Sequence, residues 1–96
     1  MKIEYHKSIK TELQQIMGYY DKLYDGFGNE FLSEFEQNIF YISSNPKMYM
    51  KIKNNMRKAL LKRFPYVIYF KQKKEIIRVL VLKHQRRHPS YGLNRK

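Results

Sequence analysis

The residues best equipped for chemistry lie in the last third of the chain. His84 ends an aliphatic run, and Arg86, Arg87 and Tyr91 follow within seven positions, with Arg57 and Arg63 upstream. Metal-free RNA cleavage needs a base for the 2′-OH proton, cations for the developing phosphorane charge and an acid for the leaving oxygen. His84 is a candidate base or acid because an imidazole titrates near neutrality. Arg87 is a candidate phosphate ligand, since a guanidinium matches two phosphate oxygens at once. Tyr91 can stack on a base or donate a proton. If the chain is a ribonuclease, His84, Arg87 and Tyr91 are its catalytic candidates. Arg57, Lys58, Lys62, Arg63, Arg86, Arg87 and Arg95 are the candidates for binding phosphate or an acidic partner. These residue types serve a cleavage site and a plain acid-binding surface equally well, and their spacing does not separate the two.

Charge placement favours a polyanionic or acidic partner. Residues 1–36 carry four lysines against seven acids, whereas residues 37–96 carry sixteen Lys and Arg against Glu75 alone. Self-repulsion of that size opposes compactness unless a partner relieves it.

Other chemistries are excluded. Cysteine is absent, which removes disulfides, thiolate metal sites and thiol nucleophiles. His84 and His88 share helical spacing, but Arg86 and Arg87 lie between them and no acid is near, so no metal is expected. No Gly-rich phosphate loop or nucleophile elbow occurs, and no cofactor is implied. MKIEYHKS lacks the apolar region of a signal peptide, and no run approaches membrane-spanning length; a cytoplasmic location is expected. The basic half follows strand rather than amphipathic-helix periodicity, which argues against a membrane surface.

The elements that must position these residues can be read from periodicity. Ninety-six residues make a single domain, 1–96. Lys2 to Tyr5 alternates like a half-buried strand. Ser8 is a candidate cap for a helix whose apolar face runs Ile9, Leu13, Ile16, Met17, Tyr20, Leu23, Tyr24, Phe27. Gly26 and Gly28 are expected to end it, and Asn29 to cap a second helix with Phe31, Phe35, Ile39 and Ile42 on one face. Pro46 stops that helix. Lys47 to Asn55 reads as a loop or loose turn. A basic and apolar run, Met56 to Phe64, leads to Pro65 and the β-rich PYVIYF. Gln72, Lys73 and Lys74 break the chain before Ile76 to Leu82, which gives a hairpin. Tyr20, Phe31, Phe35, Tyr66 and Phe70 are the expected aromatic core. The fold class is α+β, β-α-α-β-β-β, with a helical hairpin packed on one face of a small, mainly antiparallel sheet. Strand order does not follow from the sequence.

The order of RKALLKRFPYVIYF, a polar turn, IIRVLVLKH and RRHPSY resembles the C-terminal half of the RelE/ParE superfamily, toxins of bacterial type II toxin–antitoxin systems. Tyr19-Tyr20, Gly28, Phe31 and Pro46 extend the resemblance over nearly the whole chain. The resemblance implies a cognate antitoxin, expected to be acidic, as partner and either DNA gyrase or the ribosome with its mRNA as target. Ribonucleases of the RelE type carry arginines where this chain has Val67 and Gln85, and two lysines where it has Arg57 and Ala59. Only Arg57 and Tyr91 match in character. His84 is a possible substitute. ParE-type members, which poison gyrase, lack that set, and the sequence is closer to them. A ParE-like toxin is therefore the preferred expectation, a RelE-like ribonuclease the alternative. A non-toxic nucleic-acid-binding module is the third class.

Overall fold

The computed structural model describes all residues, 1–96. Two helices pack on one face of a five-stranded sheet. The strands are β1 (Lys2–Tyr5), β2 (Met50–Lys51), β3 (Arg57–Leu60), β4 (Tyr66–Lys73) and β5 (Ile76–His84), and the helices are α1 (Ser8–Asp21) and α2 (Phe27–Ser44). The order across the sheet is β1-β5-β4-β3-β2. Only β1 runs parallel to its neighbour, placing Lys2 opposite Ile76 and Tyr5 opposite Val79. The expected β-α-α-β-β-β order and mainly antiparallel sheet are therefore present. The sheet gains one strand, because the stretch read as a loop holds β2 between two 3₁₀ turns, Pro46–Met48 and Lys53–Asn55.

Alternation in the strands divides the apolar residues between two faces. Ile68, Phe70, Ile77, Val79 and Leu82 face the helices and meet Ile9, Ile16, Tyr20, Phe31, Phe35, Ile39 and Ile42 in the main core. Met56, Val67, Tyr69, Leu80 and Val81 form a smaller core on the other face, covered by Ile52, Tyr91 and Leu93. Leu80 and Val81 share this face because β5 bulges. Tyr69 pairs with Val81 and Phe70 with Val79, which leaves Leu80 as the extra residue. Of the five aromatics expected inside, four are buried and Tyr66 is half-buried.

Helix ends differ from expectation. α1 stops at Asp21, five residues before Gly26. Its apolar spacing continues through Leu23 and Tyr24, yet both are exposed. The Asp21 carboxylate accepts the backbone N–H of Gly28 at 2.8 Å and so fixes the turn into α2. Gly28 lies inside α2, where a Cβ would come within 2.6 Å of the Met17 carbonyl oxygen. The expected stop signal is thus a close-approach residue between the helices. Asn29 sits in the first turn of α2 rather than before it, with Gly26 at the cap position. Glu30 occupies that turn, where its charge suits the helix dipole. Pro65 lies just outside β4.

Ser8 does not cap α1. Its backbone N–H instead donates to Nδ1 of His6 at 3.1 Å, so an imidazole takes one of the donors a helix start leaves open. Burial first, then the cations Arg95, Arg78 and Lys7, holds His6 below the usual histidine range. Neutral His6 is therefore favoured in the folded chain. The stability it contributes is complete above the unfolded pKa, about 6.5, and is lost as pH falls through the lower folded value. The urea midpoint should fall between pH 7 and pH 5, and His6→Ala should flatten that dependence. An identical slope in the variant would refute the assignment.

Candidate functional site

β5 outruns β1. Beyond Tyr5 and Val79 the edge of β5 has no strand beside it, and its backbone polar groups need other partners. Two side chains supply them. Glu12, on α1, accepts the Leu82 N–H through Oε1 at 3.2 Å. Arg95, near the C-terminus, donates to the Leu80 carbonyl at the bulge at 2.9 Å. The two side chains also bind each other at 2.8 Å. Glu12 Oε2 further accepts the Tyr91 hydroxyl at 2.6 Å. A buried carboxylate is stable only when paired and hydrogen-bonded, and here it has three donors. Burial is the largest influence on Arg95 and works to lower its pKa, but the bond to Glu12, with Tyr91 close by, outweighs it and the pKa is raised.

The tail after β5 folds back over this edge. Lys83 is buried, and its ammonium donates to the carbonyls of His88 and Pro89 at 3.2 Å each. It also lies 4.5 Å from the centre of the Tyr69 ring. Gly92 has φ +79°, and a Cβ there would overlap the Val81 side chain. Two guanidiniums lie over the Tyr91 ring, Arg87 at 4.0 Å and Arg95 at 4.9 Å from its centre.

An open cleft of about 270 Å³ remains between α1, the end of β5 and the tail. His84, Arg87 and Tyr91, the three catalytic candidates, all line it, together with Glu12, Tyr19 and Tyr66. Burial raises the Tyr66 pKa, and it drives that of Tyr20, packed edge-on against Tyr66, up to about 12. His84 packs edge-on against Tyr66 at 5.2 Å, and its Nδ1 accepts the Arg86 N–H at 3.0 Å. An Nδ1 that accepts leaves the neutral ring its proton on Nε2. In that tautomer the remaining nitrogen offers a proton and has no lone pair to take one.

The seven candidate cations do not gather into one patch. Arg57 donates to the Tyr49 carbonyl at 2.7 Å. Lys58 alternates onto the opposite face, in register with Tyr69. The backbone N–H groups of Lys62 and Arg63 donate to Glu34, and the Arg63 side chain pairs with Glu30 at 2.8 Å. That bond, with the Tyr24 hydroxyl, holds Glu30 below the usual carboxylate range. Arg95 is taken up by Glu12. Lys58, Lys62, Arg86 and Arg87 have no acidic partner. Arg57, the one basic residue that matches the ribonuclease pattern, braces the chain, and Arg87 borders the cleft. Val67 is buried in the smaller core and Gln85 is exposed.

Sequence reasoning missed Glu12 and Lys83, which organise the site. A signal existed for Glu12. It interrupts the apolar stripe of α1 between Ile9 and Leu13, where a carboxylate must find buried donors. Lys83 gave none, because a lysine in an alternating strand reads as a solvent-facing residue.

No protein-family model matches the chain, and no curated protein matches it. Among solved structures, a chain of the chromosomal ParDE TA (toxin–antitoxin) system from P. aeruginosa superposes with a TM-score of 0.77 at 15% sequence identity. The match covers 88% of this chain and 95% of that one. The protein thus has a RelE/ParE-like α+β fold. At this identity the likeness is one of fold, and function has to be argued from the site.

Proposed function

We propose that this chain is the toxin of a toxin–antitoxin pair, ParE-like in action, which slows growth by binding a protein target such as DNA gyrase. A cognate acidic antitoxin silences it, with charge attraction steering the encounter and apolar anchors setting the affinity. The likeness to the ParDE chain supports the toxin–antitoxin assignment. One observation supports binding over cleavage. Nδ1 of His84 is engaged by the Arg86 N–H, which leaves that ring able to give a proton but not to take one, while the hydroxyl of Tyr91 is held by Glu12 and Arg57 by Tyr49. Val67 and Gln85 add no donor for a phosphorane, and loss of one preorganised donor commonly costs a factor on the order of 10²–10³.

The alternative, a RelE-like ribosome-dependent ribonuclease, is favoured by the meeting of His84, Arg87 and Tyr91 along one cleft. Induction of the chain in translating cells, with gyrase supercoiling and transcript integrity followed together, separates the readings. Loss of supercoiling with intact mRNA is expected. Codon-phased mRNA cleavage, abolished by His84→Ala or Arg87→Ala in folded protein, would establish the ribonuclease instead. If induction leaves growth unchanged and no antitoxin-like frame adjoins the gene, the toxin reading falls.

A further inference from the structure

We infer that the open face of the sheet, at the hairpin end remote from the cleft, binds the phosphate backbone of a nucleic acid. The site lies on neighbouring rows of β1, β5 and β4. In one row Glu4, Arg78 and Lys71 stand side by side; in another Lys2, Ile76 and Lys73 do. Lys74 follows in the turn. A depression of about 390 Å³ lies among Lys71, Lys73, Lys74, Arg78, Glu4 and Ile76. β5 runs from Ile76 at this end to His84 at the other, nine residues or roughly 25 Å at strand rise, so the patch and the cleft are separate.

Two local features work against the fold here and gain nothing from it. Lys71 lies directly across the ladder from Arg78, and like charges in that position are destabilising. Lys74 has φ 57°, a left-handed turn position that asparagine or glycine fills with less strain. No acid relieves the three lysines of the patch. Lys71, Lys73 and Lys74 take part in none of the four ion pairs of the chain. Glu4 is shared between Lys2 and Arg78 at 3.8 Å each, and Glu75 at the turn forms no ion pair.

The chemistry of the lining selects the partner. Protein interfaces carry an apolar centre and are poor in lysine. This patch is lysine-rich, and Ile76 is its one apolar residue. A phosphate backbone needs no apolar anchor; it binds by cation contact and counterion release. The inference goes beyond the toxin reading and does not depend on it.

Fluorescence anisotropy with a labelled random-sequence DNA duplex of about 20 base pairs tests it, the salt concentration being varied. Lys71→Gln/Lys73→Gln/Lys74→Gln should weaken binding about tenfold or more near 0.1 M salt. It should also flatten the log–log salt slope by about three, one for each lost phosphate contact. Lys7→Gln/Lys10→Gln/Lys22→Gln, which removes the same charge in and beside α1, should leave the slope nearly unchanged. Equal losses in both variants would mean that net charge alone binds DNA, and would overturn the site. Unchanged binding in the first variant would overturn it too. Poly-L-glutamate held as tightly as the duplex, and released by the first variant, would make the patch an acidic-protein surface and refute the nucleic-acid assignment. Far-UV circular dichroism and the urea midpoint keep folding apart from binding in both variants.

Discussion

Phe31→Ala should lower the stability of the chain by about 3–5 kcal/mol, the usual range for emptying a buried phenylalanine site. Phe31 is fully buried where both helices meet the sheet. Its ring lies 5.8 Å from Tyr20, 5.0 Å from Phe64 and 5.2 Å from Tyr66, the last two edge-on. Aromatic pairs of this kind contribute about 0.5–1.5 kcal/mol beyond area burial, so truncation removes both terms. The neighbours belong to α1, the loop after β3 and β4, and cannot all collapse into the void together. A domain of this size has roughly 5–15 kcal/mol in total, so the variant should stand near the edge of folding. Urea denaturation measures the change. Phe31→Leu, which keeps most of the volume, should lose much less. A Phe31→Ala midpoint close to that of the parent chain would contradict this packing.

Glu12→Ala should cost about 3 kcal/mol, toward the low end of what breaking a buried ion pair costs, because Arg95 keeps 15% of its side-chain surface in water. The alanine leaves the Leu82 N–H, the Tyr91 hydroxyl and the Arg95 guanidinium without their acceptor. Arg95→Met alone should cost less, since Glu12 retains two donors. With Arg95→Met already in place, Glu12→Ala should cost less than in the parent chain, as expected for residues that share one network. The tail should also become sensitive to protease between Gln85 and Lys96, because Lys83 and the smaller core would hold it alone. A Glu12→Ala variant within about 0.5 kcal/mol of the parent would place Glu12 among ordinary surface residues.

How far the sequence discloses this molecule depends on whether the determining contact is local. The β4–β5 hairpin and the buried face of α2 were legible because each is written in the spacing of its own residues. The end of α1 was not. Leu23 and Tyr24 continue the helical spacing, and only the bond from Gly28 to Asp21 shows where the chain turns. β2 escaped because two residues carry no period, and the bulge at Leu80 because a run of aliphatics reads alike with or without one. Within the site, His84, Arg87 and Tyr91 were selected by residue type and do share a cleft. Their hydrogen-bonding states depend on Glu12 and on the turn at Arg86, one distant in sequence and the other a matter of backbone geometry. Strand order rests on the pairing of the first strand with the last, which no local pattern encodes.

That pairing also bears on the order of assembly during synthesis. Lys2 is made long before its partner Ile76. Closing so long a loop costs entropy before any contact rewards it, so β1 must wait for β5. The helical hairpin, whose contacts are close in sequence, can form meanwhile. A chain ended after Glu75 would have β1 and the helices but no β5 beside them, and its amides from Ile3 to Tyr5 should exchange freely. The half-made protein would also lack the cleft and the whole C-terminal tail. Whatever the finished molecule engages through that cleft, a nascent one still short of β5 has nothing with which to engage it.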